Sequence, residues 1–376
     1  MAATDRYLRN LMTAALALPG IASGADILDS GDVVVDYKHL YYDEQDDLMQ
    51  VDADYLTLGI PINDKSDLQL TLEYETMSGA SPIFTAPGPG NSVTQVNSGA
   101  SITDERYAGA LRYRHDVAGG VLSVTPSISD EDDYTSHAIT MEYQWSINDK
   151  NTTFAIGGGY ADDTVDPTDQ DIEKDRESAS LFVGVTQVLD SKSLIQTNLS
   201  LTRDTGFLTD PYKLTLIEDT ISQENRPDDR NKGALLVRYI RHVGDDASAH
   251  LSYRFYGDDW SMSAHTVEGA WYQNFSNDWL VSPSIRYYTQ HKADFYAPYF
   301  THTRSDGNYS SDYRLASFGS VMAGLKIEKT FNKNTKLDLR AEYYTRRGDL
   351  KFTGDYSIED ESLESYAITF GLHHTF

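Results

Sequence analysis

The hydrophobic pattern of this chain repeats with period two, segment after segment, from residue 33 to its end. Leu68, Leu70, Leu72 and Tyr74 alternate with Gln69, Thr71, Glu73 and Glu75. Tyr107, Gly109, Leu111 and Tyr113 alternate with Arg106, Ala108, Ala110, Arg112 and Arg114. Leu337, Leu339, Ala341 and Tyr343 alternate with Asp338, Arg340, Glu342 and Tyr344. Successive side chains of a strand point to opposite faces, so each segment is apolar on one face and polar on the other. Sixteen such segments are present, at about 33–43, 48–60, 67–77, 104–115, 121–129, 134–147, 152–162, 176–189, 193–204, 232–243, 247–257, 261–274, 278–291, 313–330, 334–347 and 362–376. Most are near the ~9–11 residues that a tilted strand needs to cross a bilayer.

The connections alternate as well. Tight turns of Asn, Asp, Gly and Lys fall at Asn63-Asp64-Lys65, Ala118-Gly119-Gly120, Asn148-Asp149-Lys150, Asp190-Ser191-Lys192, Gly244-Asp245-Asp246, Ser276-Asn277-Asp278 and Asn332-Lys333-Asn334. These residues tolerate hairpin geometry. Between them lie the opposite connections, several of them long, at 78–103, 163–175, 205–231, 292–312 and 348–361. A soluble sandwich has no reason to keep this alternation in step. The pattern predicts an all-β fold, a transmembrane antiparallel up-and-down β-barrel of about 16 strands. Short turns and both chain ends belong in the periplasm, and long loops outside the cell. The apolar face must meet lipid, because Arg or Lys at mid-bilayer costs ~2–4 kcal/mol in a barrel. Pro126 and Pro283 lie inside segments. Proline removes a ladder donor, so local bulges are expected at both.

Residues 1–25 carry the marks of a secretory signal: Arg6 and Arg9, an apolar stretch from Leu11 to Pro19, then Ala22-Ser23-Gly24-Ala25. That leaves 26–376 as a single barrel domain, with the outer membrane of a Gram-negative cell as its expected place. No apolar run reaches the ~18 residues of a spanning helix. The chain has 26 Tyr, which suit membrane interfaces, and no Cys. Absence of Cys excludes disulfides, CxxC redox sites and haem attached through CxxCH. A net charge of −27 excludes nucleic acid as a partner. The last strand places Tyr366, Ile368, Phe370, Leu372, His374 and Phe376 on one face. This ending resembles the C-terminal signal that the barrel assembly machinery of bacteria recognises, and the resemblance assigns that role to Tyr366, Phe370 and Phe376.

The polar faces supply lumen-lining candidates: Arg106, Arg112, Arg114, Arg254, Arg286, Arg340 and Arg346 against Glu73, Glu75 and Glu342, with Asp36, Glu268 and Asp338 nearby in the pattern. Two readings stand side by side. The charges form rings felt by a passing solute, or a neutralised ladder that braces the wall. About sixteen strands leave an interior wide enough for water. Loops 78–103 and 205–231 are the candidates to fold inward and narrow it, the alternative being that they lie over the mouth. Residues 162–175 are densely acidic, which suits either calcium or a plain exposed loop, and their spacing is not that of an EF-hand. Asn225-Arg-Pro-Asp-Asp-Arg230 reads as an anion site or as a loop anchor. Ser263 and His265 share a face, but there is no Gly-x-Ser-x-Gly and no His-Glu-x-x-His. An enzyme, a cofactor and a resident metal are therefore not expected. Passage of small polar or charged solutes is the leading functional expectation. A non-conducting scaffold, sheath or receptor is the alternative.

Ser78-Gly-Ala-Ser-Pro82, Leu208-Thr-Asp-Pro-Tyr-Lys213, Asn225–Arg230 and Pro283-Ser-Ile-Arg-Tyr-Tyr288 with Ala293-Asp-Phe-Tyr296 resemble a proteobacterial family of porin-like outer-membrane barrels catalogued as a domain of unknown function. The resemblance implies outer-membrane lipid and lipopolysaccharide as surroundings. It carries no activity.

Overall fold

The computed structural model describes residues 27–28, 31–45, 48–80, 82–88, 93–97, 102–168, 170–352 and 362–376. The signal expected at 1–25 lies outside them. Twenty strands are present: β1 (Val34–Glu44), β2 (Met49–Asn63), β3 (Ser66–Gly79), β4 (Pro82–Pro87), β5 (Val93–Asn97), β6 (Ile102–Val117), β7 (Gly120–Glu131), β8 (Tyr134–Ile147), β9 (Thr152–Val165), β10 (Lys174–Asp190), β11 (Ser193–Gly206), β12 (Leu214–Ile217), β13 (Thr220–Gln223), β14 (Asp229–Val243), β15 (Ala247–Asp258), β16 (Ser263–Phe275), β17 (Trp279–Gln290), β18 (Phe318–Asn332), β19 (Thr335–Arg347) and β20 (Leu363–Thr375). Sixteen of them close into one antiparallel barrel, in the order β1-β2-β3-β6-β7-β8-β9-β10-β11-β14-β15-β16-β17-β18-β19-β20. The other four form two hairpins outside the wall ladder, β4-β5 and β12-β13. The wall strands agree with those expected from the sequence. The largest difference is at β18, which starts at Phe318 and not at 313, because Tyr313–Leu315 form a 3-10 turn.

Closure is made between the chain's two terminal strands. β1 pairs with β20 from Val34↔Thr375 to Glu44↔Ser365. The Phe376 amide continues the ladder by donating to Val33 O at 2.9 Å. A spanning sheet must have no open edge, since hydrocarbon offers no partner for backbone N–H and C=O. The start of β1, the end of β20 and all seven tight turns therefore share one end. The connections β3–β6, β9–β10, β11–β14 and β17–β18 share the other.

The faces segregate as the alternation requires. Leu72, Leu111, Ile139, Ile156, Leu181, Leu199, Leu251, Ile285 and Leu339 are exposed on the outside of the wall. Tyr74, Tyr107, Tyr160, Tyr343 and Tyr366 sit on the same face toward the loop end. Phe275, Trp279, Phe331 and Phe376 sit toward the turn end. An apolar band edged by aromatics on both sides is the surface a bilayer requires.

The bulges expected at the prolines are absent. The β6–β7 ladder omits pairs between Ala110↔Ser127 and Tyr113↔Val124, and resumes in the same register. On its other side Pro126 keeps its place opposite Ile139. Pro283 behaves alike: pairs are missing toward β16, and Pro283↔Leu325 is kept toward β18. A residue's N–H points to one neighbour only, so proline removes a bond from one ladder and leaves the other intact. Register shifts in the wall occur instead beside the tight turns, at Pro61/Asn63, Val188/Asp190 and Thr330/Asn332.

Leu111→Arg, on the outer face of β6, should lower barrel stability by ~2–4 kcal/mol, while Thr71→Arg on the inner face of β3 should cost far less. Reversible folding into lipid vesicles, followed by denaturant titration, measures both.

Candidate functional site

In their described residues, the long connections β3–β6, β11–β14 and β17–β18 do not project away from the wall. The three converge inside the loop end and pack on one another. In the β11–β14 connection, Asp210 Oδ1 accepts from the Tyr212 amide at 3.1 Å, and Lys213 N donates to Asp210 O at 3.2 Å. These bonds turn the chain into the β12-β13 hairpin, whose bend places Glu218 at φ 56°. In the β17–β18 connection, the Asp312 carboxylate caps the 3-10 turn by accepting from Arg314 N at 3.0 Å. The two connections join by bridges Ile217↔Phe300 and Asn225↔Tyr309. The β4-β5 hairpin lies against them: Thr85 Oγ1 donates to Pro298 O, and Ile83, Phe84 and Gln95 close over Lys213, Asp312 and Tyr313.

An apolar cluster and an ionic network hold this plug. Leu208, Trp260, Met262, Ala293, Phe295, Tyr296, Leu315 and Ala316 are buried together. Beside them Arg314 Nη2 reaches Asp210 Oδ2 at 2.7 Å, and Arg314 Nε reaches Asp312 Oδ1 at 2.8 Å. Arg226 Nη2 reaches Asp312 Oδ2 at 2.7 Å, and Arg226 Nε lies 2.6 Å from Glu224 Oε1, out of line for a hydrogen bond. Glu224 accepts from the Asp210 amide at 2.9 Å and from Ser310 Oγ at 2.5 Å. Lys213 is fully buried, its Nζ 5.5 Å from the Tyr313 ring centre. Three acids (Asp210, Glu224, Asp312) thus face three bases (Lys213, Arg226, Arg314). Balance of this kind is what permits charge to stay buried.

The plug is fastened to opposite walls. On one side Tyr313 stacks under Arg346 of β19, with the guanidinium carbon 4.3 Å from the ring centre. Gln290 at the end of β17 donates to Arg314 O at 2.9 Å and to Ala316 O at 2.6 Å. On the other side Tyr212 Oη donates to Asp133, between β7 and β8, at 2.8 Å. Gln170, after β9, donates to Pro211 O at 2.6 Å. In the order of the barrel, β9 is seventh and β19 fifteenth of sixteen, half a circumference apart. The loops therefore span the mouth along a diameter.

Below the plug the inner wall is charged and largely paired. Arg286 meets Glu268 at 2.6 Å, Arg340 meets Glu342 at 2.7 Å, Lys326 meets Glu328 at 3.0 Å and His373 meets Asp36 at 2.6 Å. Arg340 keeps 42% of its side-chain surface exposed and Arg286 35%, so this wall borders open space. Arg114 is bidentate on Asp67 at 2.8 and 2.5 Å. Arg112 lies beside Arg114 and Glu142. Arg254 stands 5.7 Å from the Tyr256 ring. Arg106 is buried against Glu73 and Glu75, both at 3.1 Å. The candidate residues thus sit at several depths and not in one ring. Tyr366 Oη donates to Asp43 at 2.9 Å on the outer face, where Phe370 and Phe376 are exposed. Ser263 and His265 lie on the outer face too, and His265 Nδ1 meets Tyr253 Oη at 2.7 Å among aromatics.

Of the inward candidates, 78–103 and 205–231 do join the plug in their described parts. The partner they pack on, 292–317, lacked any signal of that role in the pattern. Asn225–Arg230 is a loop anchor: Arg226 pairs within the plug, and Arg230 pairs with Asp258 at 2.5 Å. In the acidic stretch, Asp163 accepts from Ser136 at 2.7 Å and lies 3.8 Å from Arg176.

The family described as "Protein of unknown function (DUF3570)" matches residues 8–174 and 168–359. The chain belongs to that family. No curated protein matches it in sequence. Among solved structures it is similar to a bacterial polysaccharide outer membrane secretin, at 8% identity and TM-score 0.52, over 92% of this chain and 98% of that one. It is also similar to CdiB from Acinetobacter baumannii, at 11% identity and TM-score 0.52, over 90% of this chain and 60% of that one. OprD of Pseudomonas aeruginosa follows at 9% identity and TM-score 0.46, over 94% and 98%. Such identities establish the fold alone. With its closed wall and lipid-facing band, the DUF3570 chain is an outer-membrane β-barrel. Three of the segments that carry the family resemblance, Leu208–Lys213, Asn225–Arg230 and Ala293–Tyr296, help to build the plug, whereas Pro283–Tyr288 lies in the wall strand β17.

The plug's acids respond to pH in opposite senses. Burial alone would raise the Asp312 carboxyl, but Arg314, Arg226 and Lys213 outweigh it and hold the group well below the carboxylate range. Its stabilising contribution is present above the unfolded value of ~3.9 and is lost only as pH falls through the lower folded value. Burial raises Glu224 despite Arg226, so its contribution is full at low pH and declines as pH rises through its folded value. The plug should therefore be no looser at pH 5 than at pH 7, and should release only in stronger acid. Trp260 is buried in it, so emission from a variant with Trp145, Trp271 and Trp279 replaced by Phe reads this release.

Proposed function

We propose that this protein is a gated outer-membrane channel for small polar or charged solutes, shut at its outer mouth by its own loops. The observation that carries the reading is the plug's attachment to opposite walls above a charged, half-exposed lumen. A barrel that only needed a filled interior would pack it with apolar side chains. Here the lumen wall offers paired charges to water, and the stopper is tied by ion pairs that can be exchanged for water when a solute or partner competes for them. We read the protein as a conduit and not as an enzyme, and assign Arg112, Arg254, Arg286 and Arg340 with Glu342 to the wall of the passage. Tyr366, Phe370 and Phe376 serve in this reading as the signal to the barrel assembly machinery, with lipid and lipopolysaccharide around the wall.

The stoppered mouth also suits the second reading, a non-conducting scaffold or receptor. Planar-bilayer recording separates the two. Wild type should conduct little. Arg314→Ala breaks a buried ion network, at a cost of ~3–5 kcal/mol, and should give frequent openings. Deletion of 294–310 should give a steady pore, heat-modifiable migration serving to confirm a folded barrel. Silence from both folded variants would contradict the channel. Full steady conductance from wild type would contradict the gate.

A further inference from the structure

The wall beside the plug is rich in buried carboxylates. On the inner face of β3, β6 and β7, one guanidinium, Arg106, serves three carboxylates: Glu73 and Glu75 at 3.1 Å and Glu131 at 3.7 Å. One step nearer the mouth, Asp104, Glu131 and Asp133 bring carboxylate oxygens within 4.8 Å of one another. Asp104 is 3% exposed and Asp133 7%. The partner that the plug supplies to Asp133 is the neutral Tyr212 hydroxyl, on Oδ2. Its other oxygen, Oδ1, is sealed from solvent and accepts no hydrogen bond. Glu75 Oε1, beside Arg106, is in the same condition. A buried carboxylate oxygen without a donor is costly, and like charges this close repel strongly at low effective dielectric.

We infer that Asp104, Glu131 and Asp133 form a divalent-cation site on the inner wall of the mouth, of the hard, oxygen-liganded kind that takes calcium. The donors are all carboxylate oxygens, with no nitrogen or sulfur to favour zinc or copper. A cation there would offset the mutual repulsion of the three carboxylates and would satisfy Asp133 Oδ1. Calcium takes 6–8 oxygens, so water and backbone carbonyls complete the shell. The acidic stretch 162–175 meets the site through its backbone, the Asp166 amide donating to Asp133 O at 2.9 Å, while the Asp163 carboxylate is committed to Ser136 and faces Arg176. Because Asp133 also anchors Tyr212, a bound cation would fix the wall residue on which one side of the plug hangs.

Calcium titration of the full-length barrel, refolded in detergent and followed by calorimetry and by Tb3+ luminescence, tests the site without reference to conduction. One equivalent should bind with a dissociation constant of about 10⁻⁴–10⁻³ M, the range of extracellular calcium modules. Glu131→Gln and Asp133→Asn should each weaken binding by about tenfold or more, with heat-modifiable folding kept. Asp171→Asn with Glu173→Gln, at exposed positions of the acidic stretch, should leave it unchanged. No saturable binding at up to ~10 mM calcium, well above that range, would overturn the proposal. So would binding indifferent to Glu131→Gln and Asp133→Asn, or binding lost only with the Asp171 and Glu173 changes.

Discussion

Everything in this molecule follows from the pairing of β1 with β20. In hydrocarbon an unpaired backbone donor or acceptor finds no substitute for water, so a spanning sheet must close on itself. Closure by an even number of antiparallel strands brings the start of β1 and the end of β20 to the same end as the tight turns. It also gathers the long connections at the opposite end, around one opening. Loops from β3–β6, β11–β14 and β17–β18 are far apart in sequence but share that opening, and there they meet. Arg314 and Asp210 are 104 residues apart, and Thr85 and Pro298 are 213 apart.

The meeting is stabilised in two ways that have different consequences. The apolar cluster around Trp260, Phe295 and Tyr296 stabilises burial without regard to direction. The ion network fixes which loop lies where, because each guanidinium needs its carboxylates in position. Buried ion pairs contribute little net stability against an apolar alternative, yet removing one partner is expensive. A plug built this way is specific in its closed position and modest in its net stability, which suits a part that must open. The fastening at Arg346 and Asp133, on opposite walls, turns a local packing into closure of the mouth.

The wall was legible in the sequence because its rule is local. Period-two alternation assigns Leu72 outward and Glu73 inward from neighbouring residues, and lipid allows no other orientation. The turns were legible because Asn63, Gly119, Asn148 and Gly244 mark tight bends. Even the prolines fit once the two ladders of a strand are treated apart. The plug followed no local rule. Tyr313-Arg-Leu alternates like the start of a strand, yet the Asp312 cap turns it inward. Nothing local marks Lys213 and Glu224 as buried, because Tyr313 beside Lys213 and Ser310 on Glu224 belong to another loop, Ser310 lying 86 residues on from Glu224. The charge-poor 78–103 stretch and 205–231 were readable as candidates for an inward fold, but nothing near them named the wall or loop they would touch.

Closure of the mouth is the central claim, and the absence of cysteine makes it directly measurable. A single cysteine placed at Thr71, on the inner face of β3, would react with a membrane-impermeant thiol reagent only after the reagent enters the lumen. Added outside intact cells, the reagent should label this variant slowly, and Arg314→Ala in the same background should speed labelling by an order of magnitude or more, as ~1.4 kcal/mol per tenfold in opening requires. Rapid labelling at the same rate with and without Arg314 would mean that the loops do not close the barrel.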